Sequence, residues 1–221
     1  MHSHRYLQAL IDEGEHCQQD FKYKVTDAVK LARSVSAFAN TAGGRLLIGV
    51  RDDGVVAGVR LEEEIFMMHA AAYKYCTPPS AISFETLHVN GRTIVIATVP
   101  KCLHKPVYAI EPASVTDNTT NNQGTRKRAY IRIADENIVA TPVHLEIWRQ
   151  ENSPVGTITT YSDDERALLS ILSAHSPLSL NRFVRLSRVQ RRRAIAIIAK
   201  LVRFGLCRMD FTDHKFLFSI T

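Results

Sequence analysis

The chain has 221 residues, 45% of them hydrophobic and 23% charged, enough apolar material for one large core or two modest ones. No apolar run approaches the roughly 20 residues of a membrane span, and the start, Met1-His2-Ser3-His4-Arg5-Tyr6-Leu7, lacks the apolar stretch of a signal peptide. A cytoplasmic protein with no membrane partner is therefore the expectation. Of 28 Lys/Arg and 22 Asp/Glu, residues 161–221 hold 11 and 5, which leaves 17 of each for residues 1–160. A neutral body with a basic end implies that one module faces a polyanion. Four cysteines (Cys17, Cys76, Cys102, Cys207) show no CxxC spacing and read as reduced thiols.

In chain order, Tyr6, Leu7, Leu10 and Ile11 have helical spacing that stops at Glu13-Gly14. Asp20 to Val25 alternates as a strand does. Thr26-Asp27 can cap a helix with Ala28, Val29, Ala32, Val35, Ser36 and Ala39 on one face, closed at Asn40-Thr41-Ala42-Gly43-Gly44. Arg45 to Val50 reads as a buried strand, Asp52-Asp53-Gly54 as a turn, and Val55 to Val59 as the hairpin partner. A helix carrying Ile65, Met68, His69, Ala72 and Tyr73 is broken by Pro78-Pro79. Strands 82–89 and 93–99 flank Asn90-Gly91, a hairpin signal. Residues 112–125 read as a loop between strands 107–110 and 129–133, and 142–150 as a closing helix. The expected first domain, residues 1–150, is α+β, a mixed sheet with packed helices.

Residues 151–160 have linker composition, and 161–221 form a separate pattern. Ser162-Asp163-Asp164-Glu165 is a capping box before Ala167, Leu168, Ile171 and Leu172. A short helix carries Leu180, Phe183 and Val184, and Ser187 can cap a third with Ala194, Ile195, Ile198, Leu201 and Val202 as its stripe. Gly205 ends it, and strands 206–211 and 214–220 follow around Thr212-Asp213. Three helices and a β-hairpin are the winged-helix layout, a variant of the helix-turn-helix.

The third helix is the best candidate site. Arg188, Gln190, Arg191, Arg192 and Arg193 cluster at its start, with Lys200 and Arg203 further on. Clustered arginines at the start of a recognition helix serve both phosphates and guanine edges, so duplex DNA is the expected partner. The competing reading is a winged helix that pairs protein chains. There is no GxxxxGK[ST] loop, HExxH, GxSxG or paired Cys/His spacing, so no cofactor and no metal site are expected.

The segments Glu15-His16-Cys17-Gln18-Gln19-Asp20-Phe21-Lys22, Ser36-Ala37-Phe38-Ala39-Asn40-Thr41-Ala42-Gly43-Gly44 and Leu47-Ile48-Gly49-Val50-Arg51-Asp52-Asp53-Gly54 together resemble the Schlafen-type AlbA-like domain, also called a divergent AAA domain. Lys105-Pro106-Val107-Tyr108 and Tyr130-Ile131-Arg132-Ile133 are similar to its closing strands. The resemblance implies a DNA-binding protein that regulates transcription, with a C-terminal winged helix and a homodimer formed by the AlbA-like domain. It also implies an alternative, because some relatives cleave RNA with three acids and Mg or Mn. Here Glu15 and Asp20 match the first two positions. Arg51 stands where the third acid often falls, and only Asp52 or Asp53 could replace it. A one-residue shift on a strand turns a side chain to the other face, so binding without cleavage is the expectation.

Overall fold

A computed structural model describes residues 2–113, 124–153 and 161–221. The body of the loop expected over 112–125, and most of the linker expected over 151–160, lie outside the described residues. The chain divides into two compact units, Met1–Ala140 and Thr141–Thr221. No helix among the described residues is long and apolar enough to cross a membrane. All four cysteines are free thiols.

The first unit runs α1 (His2–Asp12), β1 (Gln19–Lys22), α2 (Ala28–Asn40), β2 (Gly44–Ile48), α3 (Leu61–His69), β3 (Cys76–Thr77), β4 (Ser83–Val89), β5 (Arg92–Val99), β6 (Tyr108–Pro112), β7 (Thr125–Ile133) and β8 (Glu136–Val139). Its strands form two four-stranded sheets, ordered β1-β2-β5-β4 and β3-β6-β7-β8. The α2 crossover makes β1 and β2 parallel, and every other pairing in the two sheets is antiparallel. This is the expected α+β class.

The first sheet is covered on both faces, which explains its near-continuous apolar strands. Leu46 and Ile48 of β2 and Val95, Ala97 and Val99 of β5 pack toward α2. The alternate residues, Leu47, Ile94 and Ile96, pack on the opposite side with Leu7 and Leu10 of α1. Ten of the thirteen residues of α2 are buried, so it is a central helix rather than one with a single buried face. Its many Ala and Ser residues let backbones approach on every side. Asp27 caps it, accepting from the backbone N–H groups of Val29 and Lys30. Gly43, at φ +75, turns the chain out of the helix, and a Cβ on Gly44 would stand 2.3 Å from the Phe38 ring.

Of the hairpin expected between 45–50 and 55–59 only the tip forms: Arg51 N–H donates to the Val55 carbonyl and Ala57 N–H to the Gly49 carbonyl. Val50 and Val56 make one isolated bridge, and the antiparallel partner of β2 is β5. By contrast, Asn90 (φ 51) and Gly91 (φ 73) supply the two left-handed residues that close β4–β5.

The second unit runs α4 (Pro142–Glu151), α5 (Asp163–His175), β9 (Leu178–Ser179), α6 (Leu180–Ser187), α7 (Arg191–Arg203), β10 (Cys207–Thr212) and β11 (Lys215–Ile220). A three-stranded antiparallel sheet orders them β10-β11-β9. Leu168, Leu172, Phe183, Ala194, Ile198, Leu201 and Phe218 form the core. The helix expected to close the first domain belongs here instead: α4 packs on α7 and adds Val143 to this core.

The start of α4 holds a buried histidine. His144 Nδ1 accepts the Thr141 backbone N–H at 3.1 Å, completing a capping box, and its ring meets Phe216 edge-on at 4.9 Å. Burial lowers its pKa to about 4. The folded form therefore prefers neutral imidazole, whereas the unfolded chain binds a proton near pH 6.5. Stability of this unit is complete above about pH 6.5 and falls as the pH drops toward 4, by up to about 3 kcal/mol. Melting at pH 5 should come several degrees below melting at pH 7, and the gap should shrink in His144→Gln. An equal gap in the variant would remove His144 as its cause.

Candidate nucleic-acid interface

Between Arg166 and Met209 the chain carries ten Lys/Arg and no Asp or Glu. The fold gathers most of these at one corner. Arg182 and Arg185 lie on the exposed side of α6, Arg188 in the turn, and Arg191, Arg192 and Arg193 in the first turn of α7, all exposed. Arg191 donates to Asn181 Oδ1 at 2.7 Å and so ties the start of α7 to α6. Arg193 reaches Asp164 at 3.6 Å, a surface pair that costs little to open.

Two of the predicted residues lie outside the helix expected to carry them. Ser187 ends α6, Gln190 is the N-cap of α7, and Gln190 makes no side-chain cap bond. Arg188 has φ +55, a left-handed conformation that costs a non-glycine residue roughly 1–2 kcal/mol.

Lys200 and Arg203 are placed differently. Lys200 Nζ donates to both oxygens of Glu165, at 3.0 and 3.2 Å, and lies over the Tyr161 ring. Burial pushes the Glu165 carboxyl up, but the Ser162 N–H and Lys200 outweigh it and hold it below the usual carboxylate range. Lys200 thus joins α5 to α7. Arg203 is half-buried at the far end of α7, its guanidinium 6.0 Å from the Phe204 ring centre. Sequence reasoning missed Arg182 and Arg185, although the absence of any acid around them was a readable signal.

The three candidate acids are not gathered. Glu15 and Asp20 meet: burial, then a hydrogen bond with Asp20, raises the Glu15 carboxyl, while Glu15 also accepts the Phe21 N–H at 2.8 Å. Asp20 is 4% exposed, with Lys22 at 2.9 Å from one oxygen and Arg132 at 3.5 Å from the other. Asp52 instead lines an open cleft of about 780 Å³ with Tyr23, Arg51, Asp53, Val55, Ala57 and Arg92. Arg51 pairs there with Asp53 at 2.8 Å. Among the described residues no three His, Cys, Asp or Glu side chains converge to hold a metal ion. Two cations already neutralise Asp20, and they would repel a divalent ion.

Residues 15–141 match the family described as Schlafen, AlbA_2. This chain belongs to that family. The match covers most of the first unit and stops where the second begins, at Thr141. No curated protein matches the chain. Among solved structures, the crystal structure of the DIP2311 protein from Corynebacterium diphtheriae is similar, with a TM-score of 0.47 and 17% identity. That likeness covers 91% of this chain and 34% of the other, so this chain spans about a third of its neighbour's length.

Within the AlbA_2 unit, the Ser36–Gly44 segment that carried the resemblance is structural. Asn40 Nδ2 donates to the carbonyls of Val107 and Tyr130, and its Oδ1 accepts the Val107 N–H. Ser36 Oγ donates to Val107 and accepts from the Tyr130 N–H. One helix face thereby closes backbone bonds of β7 and of the residue that leads into β6.

A second buried cluster escaped the sequence. Glu111 is 1% exposed and takes Arg33 Nε at 2.6 Å, Arg126 Nε at 3.2 Å and the Tyr130 hydroxyl at 2.7 Å. Burial pushes its carboxyl up, but the Tyr130 hydroxyl and the two arginines outweigh it and hold it below the usual range. Glu111→Gln should cost the AlbA_2 unit about 1–3 kcal/mol, because the buried carboxylate that accepts from the Tyr130 hydroxyl loses its charge. A chemical-denaturation midpoint unchanged from the parent would show that water replaces the carboxylate.

Proposed function

We propose that this chain is a nucleic-acid-binding protein that holds duplex DNA at the α6–α7 corner of a C-terminal winged helix. The observation that carries this reading is the cluster of exposed arginines, Arg182, Arg185, Arg188, Arg191 and Arg192, in a stretch with no acid. The element order supports the winged-helix assignment: helix, short strand, two helices, then a hairpin, with β9 paired to β11. Membership of the AlbA_2 family supports a nucleic-acid-related role, and control of transcription is the use that fits a basic module of this layout. The acids Glu15, Asp20 and Asp52 give no comparable support to RNA cleavage. Transfer RNA incubated with Mn²⁺ should stay intact, and cleavage abolished by Glu15→Gln would reverse this ranking.

Arg188 offers a test in which stability and binding move in opposite directions. Arg188→Gly should relieve the left-handed strain and raise the stability of the second unit by about 0.5–1 kcal/mol. It should also weaken DNA binding and flatten the slope of log affinity against log salt by about one. A more stable variant with unchanged affinity would remove Arg188 from the interface. The proposal includes a two-fold dimer, which would present two such corners to successive half-sites. A monomer by sedimentation at tens of micromolar would sink that part alone.

A further inference from the structure

We infer that the second unit grips the duplex by its sugar–phosphate backbone and does not read base sequence with α7, because α4 occupies the side of α7 that would face a groove. The inference rests on the reading that the α6–α7 corner binds DNA.

α7 is covered on two opposite sides. Ala194, Ile197, Ile198 and Leu201 are buried in the core with Leu168, Leu172 and Phe183 of α5 and α6. At 3.6 residues per turn, Ala199 points almost directly away from Ile197 and Leu201. Even so, its exposure is 0%. The cover is α4, which packs along α7. Gln150 Nε2 donates to the Ala196 carbonyl at 3.0 Å. Glu146, held below the usual carboxylate range first by Arg149, also feels the charge of Arg192. From Ala194 to Arg203 no residue of α7 is exposed. Its exposed residues are confined to the first turn.

Dimensions decide what such a helix can do. The major groove is about 12 Å wide, and one helix with its side chains already measures about 10–12 Å across. A second helix packed about 8–10 Å from its axis brings the pair to roughly 20 Å, too wide to enter. α4 is also not a loose cover. Val143 is fully buried, Trp148 is 5% exposed, and His144 is held between Trp148 and Phe216.

What stays outside is a corner of exposed arginine side chains. Such a surface meets phosphates, which are the same for every sequence. Control of transcription would then work through occupancy of the duplex, with any choice of site supplied from elsewhere.

The test uses the full chain and duplexes of equal length and unrelated sequence, including alternating dA·dT and dG·dC polymers, titrated by fluorescence anisotropy. Affinities should agree within about fivefold. Each should fall with salt at a slope of about −0.9 per phosphate contact. Arg182→Ala with Arg185→Ala should weaken every duplex by the same factor and flatten every slope by about two. A larger spread between sequences, abolished by Arg191→Ala, would overturn this inference and leave DNA binding at the corner intact. Failure to bind any duplex would overturn both.

Discussion

Asn40→Ala is expected to remove about 4 kcal/mol from the AlbA_2 unit. The side chain is 2% exposed and makes contacts at 2.8 Å to Val107 O, 3.0 Å to Tyr130 O and 2.8 Å from Val107 N. Truncation takes their Asn40 bond from the Tyr130 carbonyl and the Val107 N–H, at about 1–3 kcal/mol each, while the Val107 carbonyl keeps the Ser36 hydroxyl. A domain stable by about 5–15 kcal/mol loses a large share of its margin. Ser36→Ala should cost about half as much. The double variant should cost more than the sum, because the Val107 carbonyl keeps one donor in either single variant and neither in the double. The single tryptophan, Trp148, belongs to the second unit, so its fluorescence follows that unit. In urea, Asn40→Ala should show an early transition in far-ultraviolet circular dichroism, with the Trp148 transition near its parental position. A shift below about 0.5 kcal/mol would mean that the network adds nothing.

Neutralising Arg188, Arg191 and Arg192 together should weaken duplex binding on the order of a hundredfold near 0.1 M salt and flatten the salt slope by about three. All three side chains are exposed, and the only ordered partner among their described hydrogen bonds is Asn181, for Arg191. Their loss should leave the fold intact. Lys200→Ala should behave in the opposite way. It breaks the half-buried pair with Glu165 and so destabilises the second unit, while the salt slope stays as it was. If the triple variant binds as the parent does, or Lys200→Ala flattens the slope, the interface lies elsewhere.

Local chemistry was legible throughout. Asp27 before an Ala-rich run, Gly43-Gly44 after it, Asn90-Gly91 between two β-rich runs and Ser162 with Glu165 each fix backbone geometry within a few residues. Those four boundaries fall where their chemistry puts them. Partnerships across the chain were not legible. The run at 45–50 suits any strand neighbour, and the nearest one, 55–59, was the natural expectation. Its partner β5 is chosen by the layer of α2 and α1 packed against both strands. The short strand β8 shows no pattern of its own, because its pairing with β7 defines it.

The candidate site divides in the same way. By itself the sequence determined the basic C-terminal quarter, the arginine cluster and the family segments, because charge and turn chemistry are properties of residues and near neighbours. Tertiary structure alone decided which cations remain outside. It tied Lys200 to Glu165, set Glu15 beside Asp20 while leaving Asp52 in another cleft, and closed Glu111 around Arg33 and Arg126. It also assigned α4 to α7 rather than to the domain that precedes it. An amphipathic face specifies that it must be buried, since apolar area must leave water, but it does not specify against what. That choice depends on which complementary surface lies within reach once the rest of the chain has folded.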